Sequence, residues 1–314
     1  MSWTLLQVRA LRLEAEDVLG VELAPPGAAP LPFNWAPGAH VDLRLGNGVV
    51  RQYSVISLPE EGHVYLGIKR EKASRGGSQW LHEHLRLGAR VEVGVPRNLF
   101  ALQPGAGPVI LVAAGIGITP LLPMYRQCQT QARPVRLLYF THDVRQAPFI
   151  QRLDNGIDLY GGLRAHQIAE RLAEQLPTWD AQASLYSCGP AGFMDCVEQT
   201  ALAQGWPTAA LHREHFHAAV LCAQTERGCS LVLQRSGLEV EVQPGESLVQ
   251  AASRVGVELP VSCGMGICGA CVSRVIEGEP EHRDEYLSDA QRTSGEWIAP
   301  CVSGCRSARL VLDA

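Results

Sequence analysis

Through residues 1–103, apolar and polar positions alternate in short runs ("HVDLRL", "VVRQYSVIS", "HVYLGIKR", "ARVEVGV") set apart by Pro and Gly turns. A period of two gives a strand one buried and one solvated face, and a series of such runs predicts an antiparallel β-barrel. At "PGAGPVILVAAGIGITPLLPMYRQCQ" the rhythm changes. A continuous apolar run, Val109 to Ala114, meets a glycine turn and then an amphipathic pattern, with Thr119 placed as helix N-cap and Pro120 at the first helical position. "VRLLYF" and "ASLYSCG" read as further buried strands and "AHQIAERLAEQL" as a helix. Apolar strands alternating with helices predict a parallel α/β sheet over residues 104–222.

From 223 to 314 the pattern changes again. "CSLVLQRSGLEVEV" predicts a hairpin turning near Ser236-Gly237, and "PGESLVQAASRVG" a short helix. Ser247 and Gln250 form its capping box, and Gly256 stands where a C-terminal cap belongs. The chain therefore divides into three expected domains, 1–103, 104–222 and 223–314, the last a compact α+β module.

Composition narrows the function classes. No apolar run approaches eighteen residues, which argues against a membrane-spanning helix. "MSWTLLQVRALRLEAED" interleaves charges with its apolar positions and reads as a strand, not a signal peptide. Ten cysteines without an export signal point to a reducing cytoplasm and to metal or redox chemistry. The net charge of −5 is concentrated in residues 223–314, which hold 13 Asp/Glu against 8 Lys/Arg. That balance argues against nucleic acid and fits a basic partner surface or a solvated acidic face.

The densest chemistry lies in "VSCGMGICGACVS", where Cys263, Cys268 and Cys271 have the spacing C-x4-C-x2-C. This is the plant-type [2Fe–2S] arrangement and requires a fourth cysteine further on. Two stand downstream, Cys301 and Cys305. The glycines at 264, 266 and 269 let the backbone wrap closely and aim amides at sulfur. A structural zinc knuckle is the competing reading, although zinc sites usually pair two C-x2-C-like clips.

On these residues the C-terminal module resembles a plant-type ferredoxin, a β-grasp fold. The resemblance implies two thiolates on each iron and puts the fourth ligand on Cys301. It departs at "CVSGCRS", where the family more often has Arg and Ala in place of Gly304 and Cys305.

Upstream, "RQYSVIS" resembles the R-x-Y-S signature of the ferredoxin–NADP reductase superfamily. There Arg51 offers a planar fork to a phosphate, Tyr53 an aromatic face to the flavin, and Ser54 a hydroxyl near flavin N5. Gly76, Gly77 and Ser78 sit at an expected helix N-terminus, and in the phthalate dioxygenase reductase-like branch this R-G-G-S loop holds the FMN phosphate. "AAGIGITPLLPM" resembles the family's dinucleotide cradle, with Ala114 in place of its first glycine. Gly115 and Gly117 would admit the pyrophosphate, and Thr119 would face the nicotinamide. In "LYSCGPAGFM" the resemblance places Cys188, Gly189 and Pro190 beside the nicotinamide. Asp143 suits a free ribose 2′-hydroxyl and Arg145 argues the reverse; the balance favours NADH. "LHREHFHA" resembles the E-x-F segment that ends the nucleotide domain, making Phe216 the residue stacked on the flavin, with Glu214 nearby.

In this order the chain resembles the single-chain reductases of two-component Rieske oxygenases. The resemblance implies NADH as donor, FMN and a [2Fe–2S] cluster as carriers, and a Rieske-type oxygenase as partner. Cofactors then carry the chemistry, so the lack of a nucleophile–base set does not count against an enzyme. A redox-sensing ferredoxin module and a zinc-stabilised interaction protein are the alternatives from other classes.

Overall fold

The structure is a computed structural model that describes residues 2–27, 29–71, 76–153, 156–216 and 228–314. The chain forms two compact units, residues 1–216 and 217–314. The expected junction at 222/223 lies outside the described residues.

The first unit begins with six antiparallel strands: β1 (Trp3–Ala15), β2 (Val18–Ala24), β3 (His40–Arg44), β4 (Val50–Ser54), β5 (Val64–Lys69) and β6 (Arg90–Gly94). They lie in the order β4-β3-β6-β1-β2-β5. A bridge between Val55 and Leu66, with the Ile56 amide donating to the Tyr65 carbonyl at 2.8 Å, joins the two ends and closes the barrel. Closure satisfies the backbone groups that an open edge would expose. Leu6, Val8, Val21, Leu23, Val41, Leu43, Leu66 and Val93 fill the interior, the alternation delivering every second side chain inward. Helix α1 (Ser78–His84) follows β5, and its Leu81 plugs the same core.

Five parallel strands follow: β7 (Val109–Ala114), β8 (Val135–Thr141), β9 (Asp158–Gly161), β10 (Ser184–Cys188) and β11 (Leu211–Glu214), in the order β11-β10-β7-β8-β9. The unbroken apolar run in β7 has a direct cause. Val109, Leu111 and Ala113 face a core shared with α2 (Ile118–Thr130), while Ile110 and Val112 face a second core under α3 (Ala165–Gln175) and α4 (Ala191–Ala203). Both faces of the strand are dry, so both must be apolar. The α2-side core also takes Ile56, Tyr65 and Phe100 from the barrel side, so it binds barrel and sheet into one unit. Each fully buried aliphatic side chain there contributes about 1.5–3 kcal/mol.

Thr119 is not the N-cap of α2. A 3-10 turn over Gly115–Gly117 starts the helix early, with Gly117 at the cap and Thr119 inside the first turn. Its hydroxyl donates to the Ile116 carbonyl at 3.0 Å, so it satisfies an acceptor and caps no amide.

The second unit is a β-grasp. Strands β12 (Cys229–Leu233) and β13 (Leu238–Val242) form the expected hairpin. β14 (Ser273–Glu277), β15 (Pro280–Glu281), β16 (Trp297–Ile298), β17 (Gly304–Cys305) and β18 (Arg309–Leu312) follow. The main sheet runs β13-β12-β18-β14-β16, with β12 and β18 parallel, and β15 pairs separately with β17. Helix α5 (Leu248–Arg254) carries the expected Ser247–Gln250 capping box, and α6 (Asp289–Ser294) precedes β16.

Candidate functional site

At the C-terminal ends of the parallel strands, chain order reverses between β7 and β10: β8 and β9 lie on one side of β7, and β10 and β11 on the other. In open α/β sheets such a switch point opens a crevice for ligands. Here two strand-end turns interlock across it. A Cβ placed on Gly117 would stand 2.2 Å from the Cys188 carbonyl oxygen, and one on Gly189 would stand 2.8 Å from the Ala114 Cβ. The turns are that close because both positions lack side chains, and Gly115 adds a backbone φ of 55°. Ala114, where the family has glycine, fits because Gly189 faces it. Gly115, Gly117, Cys188, Gly189 and Pro190, the N-cap of α4, are thus brought together. Thr119 lies at the seam with the barrel, its methyl 2.9 Å from where a Cβ on Gly67 would stand.

Asp143 caps a 3-10 turn and accepts from the Arg145 amide at 2.9 Å; the two side chains also pair, Nη2 to Oδ2 at 2.6 Å. Arg145 therefore holds the Asp143 carboxyl below its usual range. The opposed arguments that these residues raise about the nucleotide belong to one ion pair.

Glu214, expected only as a neighbour of Phe216, joins Cys188. Parallel pairing of β10 with β11 puts Glu214 in register with it. Its Oε2 is shut off from solvent and has no hydrogen-bond partner among the described residues. Burial pushes the carboxyl up to about 8, so Glu214 stays protonated at neutral pH. Burial, then the neighbouring Glu214, also push the Cys188 thiol well up. Phe216, two residues on, packs on the core that contains Cys188 and Ile56.

Linkage makes Glu214 testable. Its folded pKa lies above its unfolded value near 4.5, so the folded chain holds the extra proton between about pH 4.5 and 8. That contribution is complete below pH 4.5 and is lost as pH rises through 8. Glu214→Gln should remove this slope and gain on the order of 3 kcal/mol relative to the parent near pH 8. Urea melts across that window check it, and parallel curves for the two proteins would contradict it.

In the barrel, register sets Arg51 opposite Leu43, Tyr53 opposite Val41 and Ser54 opposite His40. The Arg51 side chain lies across Gly77, where a Cβ would stand 2.5 Å from its Cγ and 2.8 Å from its Nε. Gly77 is the N-cap of α1, preceded by Gly76 with φ 82° and followed by Ser78. The arginine fork and the glycine turn, remote in sequence, therefore form one cradle that a methyl group would fill, and their donors suit a phosphate. The loop's arginine, Arg75, lies outside the described residues. Tyr53 is half-buried against the barrel core, and burial pushes its phenol well up; Ser54 is buried.

In the second unit the four cysteines stand as two pairs. Cys271 and Cys301 have their sulfurs 3.2 Å apart, and the Cys263 and Cys268 thiols are hydrogen-bonded. The Met265 amide donates to Cys263 Sγ at 3.2 Å, and the Gly266 amide donates to Cys301. Within each pair the hydrogen bond between the two thiols lowers one of them, Cys263 beside Cys268 and Cys271 beside Cys301. Positive φ at Gly266 (72°) and Gly269 (67°) turns the loop. A Cβ at Gly269 would meet the Tyr286 ring at 2.2 Å. Two sulfur pairs flanked by amide donors fit two irons, two thiolates on each. No group of three or more His, Cys, Asp or Glu among the described residues is arranged to hold a single metal ion. Cys305 is engaged elsewhere: its thiol is hydrogen-bonded with that of Cys229, and its sulfur lies 2.8 Å from the Ser307 carbonyl oxygen.

No helix among the described residues is long and apolar enough to cross a membrane. Residues 231–306 match the 2Fe-2S iron-sulfur cluster binding domain family. The chain is 38% identical over 313 residues to a vanillate O-demethylase oxidoreductase of Pseudomonas sp., covering 98% of both chains. It is 40% identical over 307 residues to the enzyme of that name from Pseudomonas putida, covering 96% of both. Among solved structures it is similar to phthalate dioxygenase reductase, described as modular for electron transfer from pyridine nucleotides to [2Fe-2S]. That match has a TM-score of 0.76 and 31% identity over 100% of this chain and 98% of that one. With a closed barrel, a strand-end crevice and a paired-cysteine β-grasp in one sequence, the chain belongs to the phthalate dioxygenase reductase-like family of oxidoreductases, alongside the vanillate O-demethylase oxidoreductases.

Proposed function

We propose that this chain is an NADH-dependent reductase that passes electrons through FMN and a [2Fe–2S] cluster to a terminal Rieske-type oxygenase or O-demethylase in the cytoplasm. The observation that carries the reading is the similarity to vanillate O-demethylase oxidoreductase across 98% of both chains. When bound, NADH supplies a hydride, FMN accepts the electron pair, and the cluster hands electrons on singly.

The residues divide the remaining tasks. Arg51, with Gly76, Gly77 and Ser78, binds the flavin phosphate, and its fixed charge matches the phosphate geometry. Tyr53 and Phe216 would hold the isoalloxazine, and Ser54 would offer it a hydroxyl. Gly115 and Gly117 admit the dinucleotide to the crevice, and Thr119, Cys188, Gly189 and Pro190 position the nicotinamide. Cys188 orients and excludes water; its raised thiol pKa suits a neutral wall better than a nucleophile. Glu214 holds a proton at the closed end of that wall. Cys263 with Cys268, and Cys271 with Cys301, hold the two irons.

Asp143 would accept from the ribose 2′-hydroxyl and repel a 2′-phosphate, whereas Arg145 would attract one; the carboxylate, bound at the turn, sets the preference. NADH should therefore exceed NADPH in kcat/KM by roughly tenfold or more, and Asp143→Asn should narrow the ratio. Steady-state rates with both nucleotides decide this, and a parent that prefers NADPH would overturn it. The reading as a whole predicts about one FMN, two irons and two acid-labile sulfides per chain. Zinc in place of iron and sulfide would point to the interaction protein, and flavin that NADH fails to bleach would point to the redox-sensing module.

A further inference from the structure

Asp284 lies between β15 and α6, with its side chain wholly buried. No cysteine spacing or cofactor motif includes it. Its Oδ2 accepts from the Leu287 amide at 2.8 Å, and its Oδ1 accepts from the Ser303 hydroxyl at 3.2 Å. Its own carbonyl accepts from Arg292 Nη2 at 2.6 Å. Two donors aimed at the carboxyl oxygens suit the ionised, acceptor-only form. The His282 ring stands beside it, Nδ1 to Oδ1 at 3.7 Å.

These contacts span the two segments that supply sulfur. On one side Asp284 packs directly on the cysteine loop: a Cβ at Gly266 would stand 3.0 Å from its Cα and 3.1 Å from its Cβ. The next residue, Glu285, donates its amide to the Gly266 carbonyl at 3.0 Å. On the other side Ser303 lies two residues beyond Cys301, and its amide donates to the Ala299 carbonyl at 3.0 Å, holding the turn that presents Cys301. The peptide that Asp284 presses against is the one whose N–H reaches the Cys301 sulfur.

We infer that Asp284 is a positioning residue for the metal centre, clamping the Gly266 loop to the Cys301 turn and placing a buried negative charge between these two sulfur-bearing segments. The inference rests on the reading that Cys263, Cys268, Cys271 and Cys301 hold a [2Fe–2S] cluster. Its two effects are separable. The clamp fixes the amide-to-sulfur hydrogen bond and keeps the fourth ligand in register with the other three. The charge opposes addition of an electron, because net charge and hydrogen bonding near the sulfurs set the potential of such a centre. A lower potential gives the reduced centre a stronger drive toward its acceptor.

The test uses the full-length, cofactor-loaded protein. Asp284→Asn keeps the size and an acceptor oxygen but loses the charge. It should retain iron and the parent's visible circular dichroism while raising the cluster potential by about a tenfold change in the reduction equilibrium, roughly 59 mV for one electron. Asp284→Ala also loses the clamp and should release iron to a chelator about tenfold faster than the parent. An Asn variant with the parent's potential, or an Ala variant with the parent's iron-release rate, overturns the corresponding half. If Ala fails to assemble, the Asn potential still decides the charge effect. Absence of iron and sulfide from the parent itself would defeat the cluster assignment, an outcome distinct from failure of either variant.

Discussion

Cys301→Ser should abolish cytochrome c reduction while leaving reduction of the flavin by NADH nearly intact. The reason is the pairing in the second unit: the Cys301 sulfur lies 3.2 Å from that of Cys271, and without it the iron proposed for this pair would lose half its protein ligands. Loss of even an outer partner of a metal ligand costs roughly 10–100-fold, so loss of the ligand should cost more than about a hundredfold. The nucleotide crevice and the Arg51 cradle lie in the first unit and should be untouched. Cys305→Ser is the matched control. Its sulfur is taken up by Cys229 and Ser307, so the variant should keep its iron and its rate. A Cys301→Ser protein with full cytochrome c activity, or a Cys305→Ser protein without iron, would reassign the fourth ligand.

Arg51→Ala should weaken FMN binding by on the order of 10–100-fold, the equivalent of about 1.5–3 kcal/mol for hydrogen bonds to a charged group. Gly77→Ala should act in the same direction with the arginine still present. Its methyl would occupy the space where the Arg51 Cγ and Nε now lie, pushing the fork off the turn. Flavin per chain after gel filtration, followed by FMN titration of the stripped protein, measures both. Unchanged flavin retention in Arg51→Ala would remove the phosphate role.

Much of this architecture was legible because its causes are local. The alternation in "HVYLGIKR" and the unbroken run in "VILVAA" each report how many faces of a strand are dry, and β5 and β7 form where those patterns lie. The Ser247–Gln250 capping box is likewise a property of neighbouring residues. Thr119 misled because the 3-10 turn at Gly115–Gly117 begins the helix before the first strong cap signal. Glu214 is placed by the sequence only as a neighbour of Phe216, with no role of its own. Only the register of β11 on β10, a pairing across 26 residues from Cys188 to Glu214, puts it against the thiol. Asp284 was hidden similarly, since nothing in "HRDEYL" reveals that one of its carboxylates faces Ser303 and the Gly266 loop. Contacts made by long-range pairing leave little trace in local pattern.

The central claim is one relay from NADH to iron–sulfur within a single chain, and an anaerobic NADH titration followed by visible absorbance and electron paramagnetic resonance tests it most directly. The account predicts bleaching of the flavin together with the rhombic resonance of a reduced [2Fe–2S] centre, with about three electrons taken up per chain, two on flavin and one on the cluster. Flavin bleaching with no iron–sulfur resonance at excess NADH, or no bleaching at all, would contradict it.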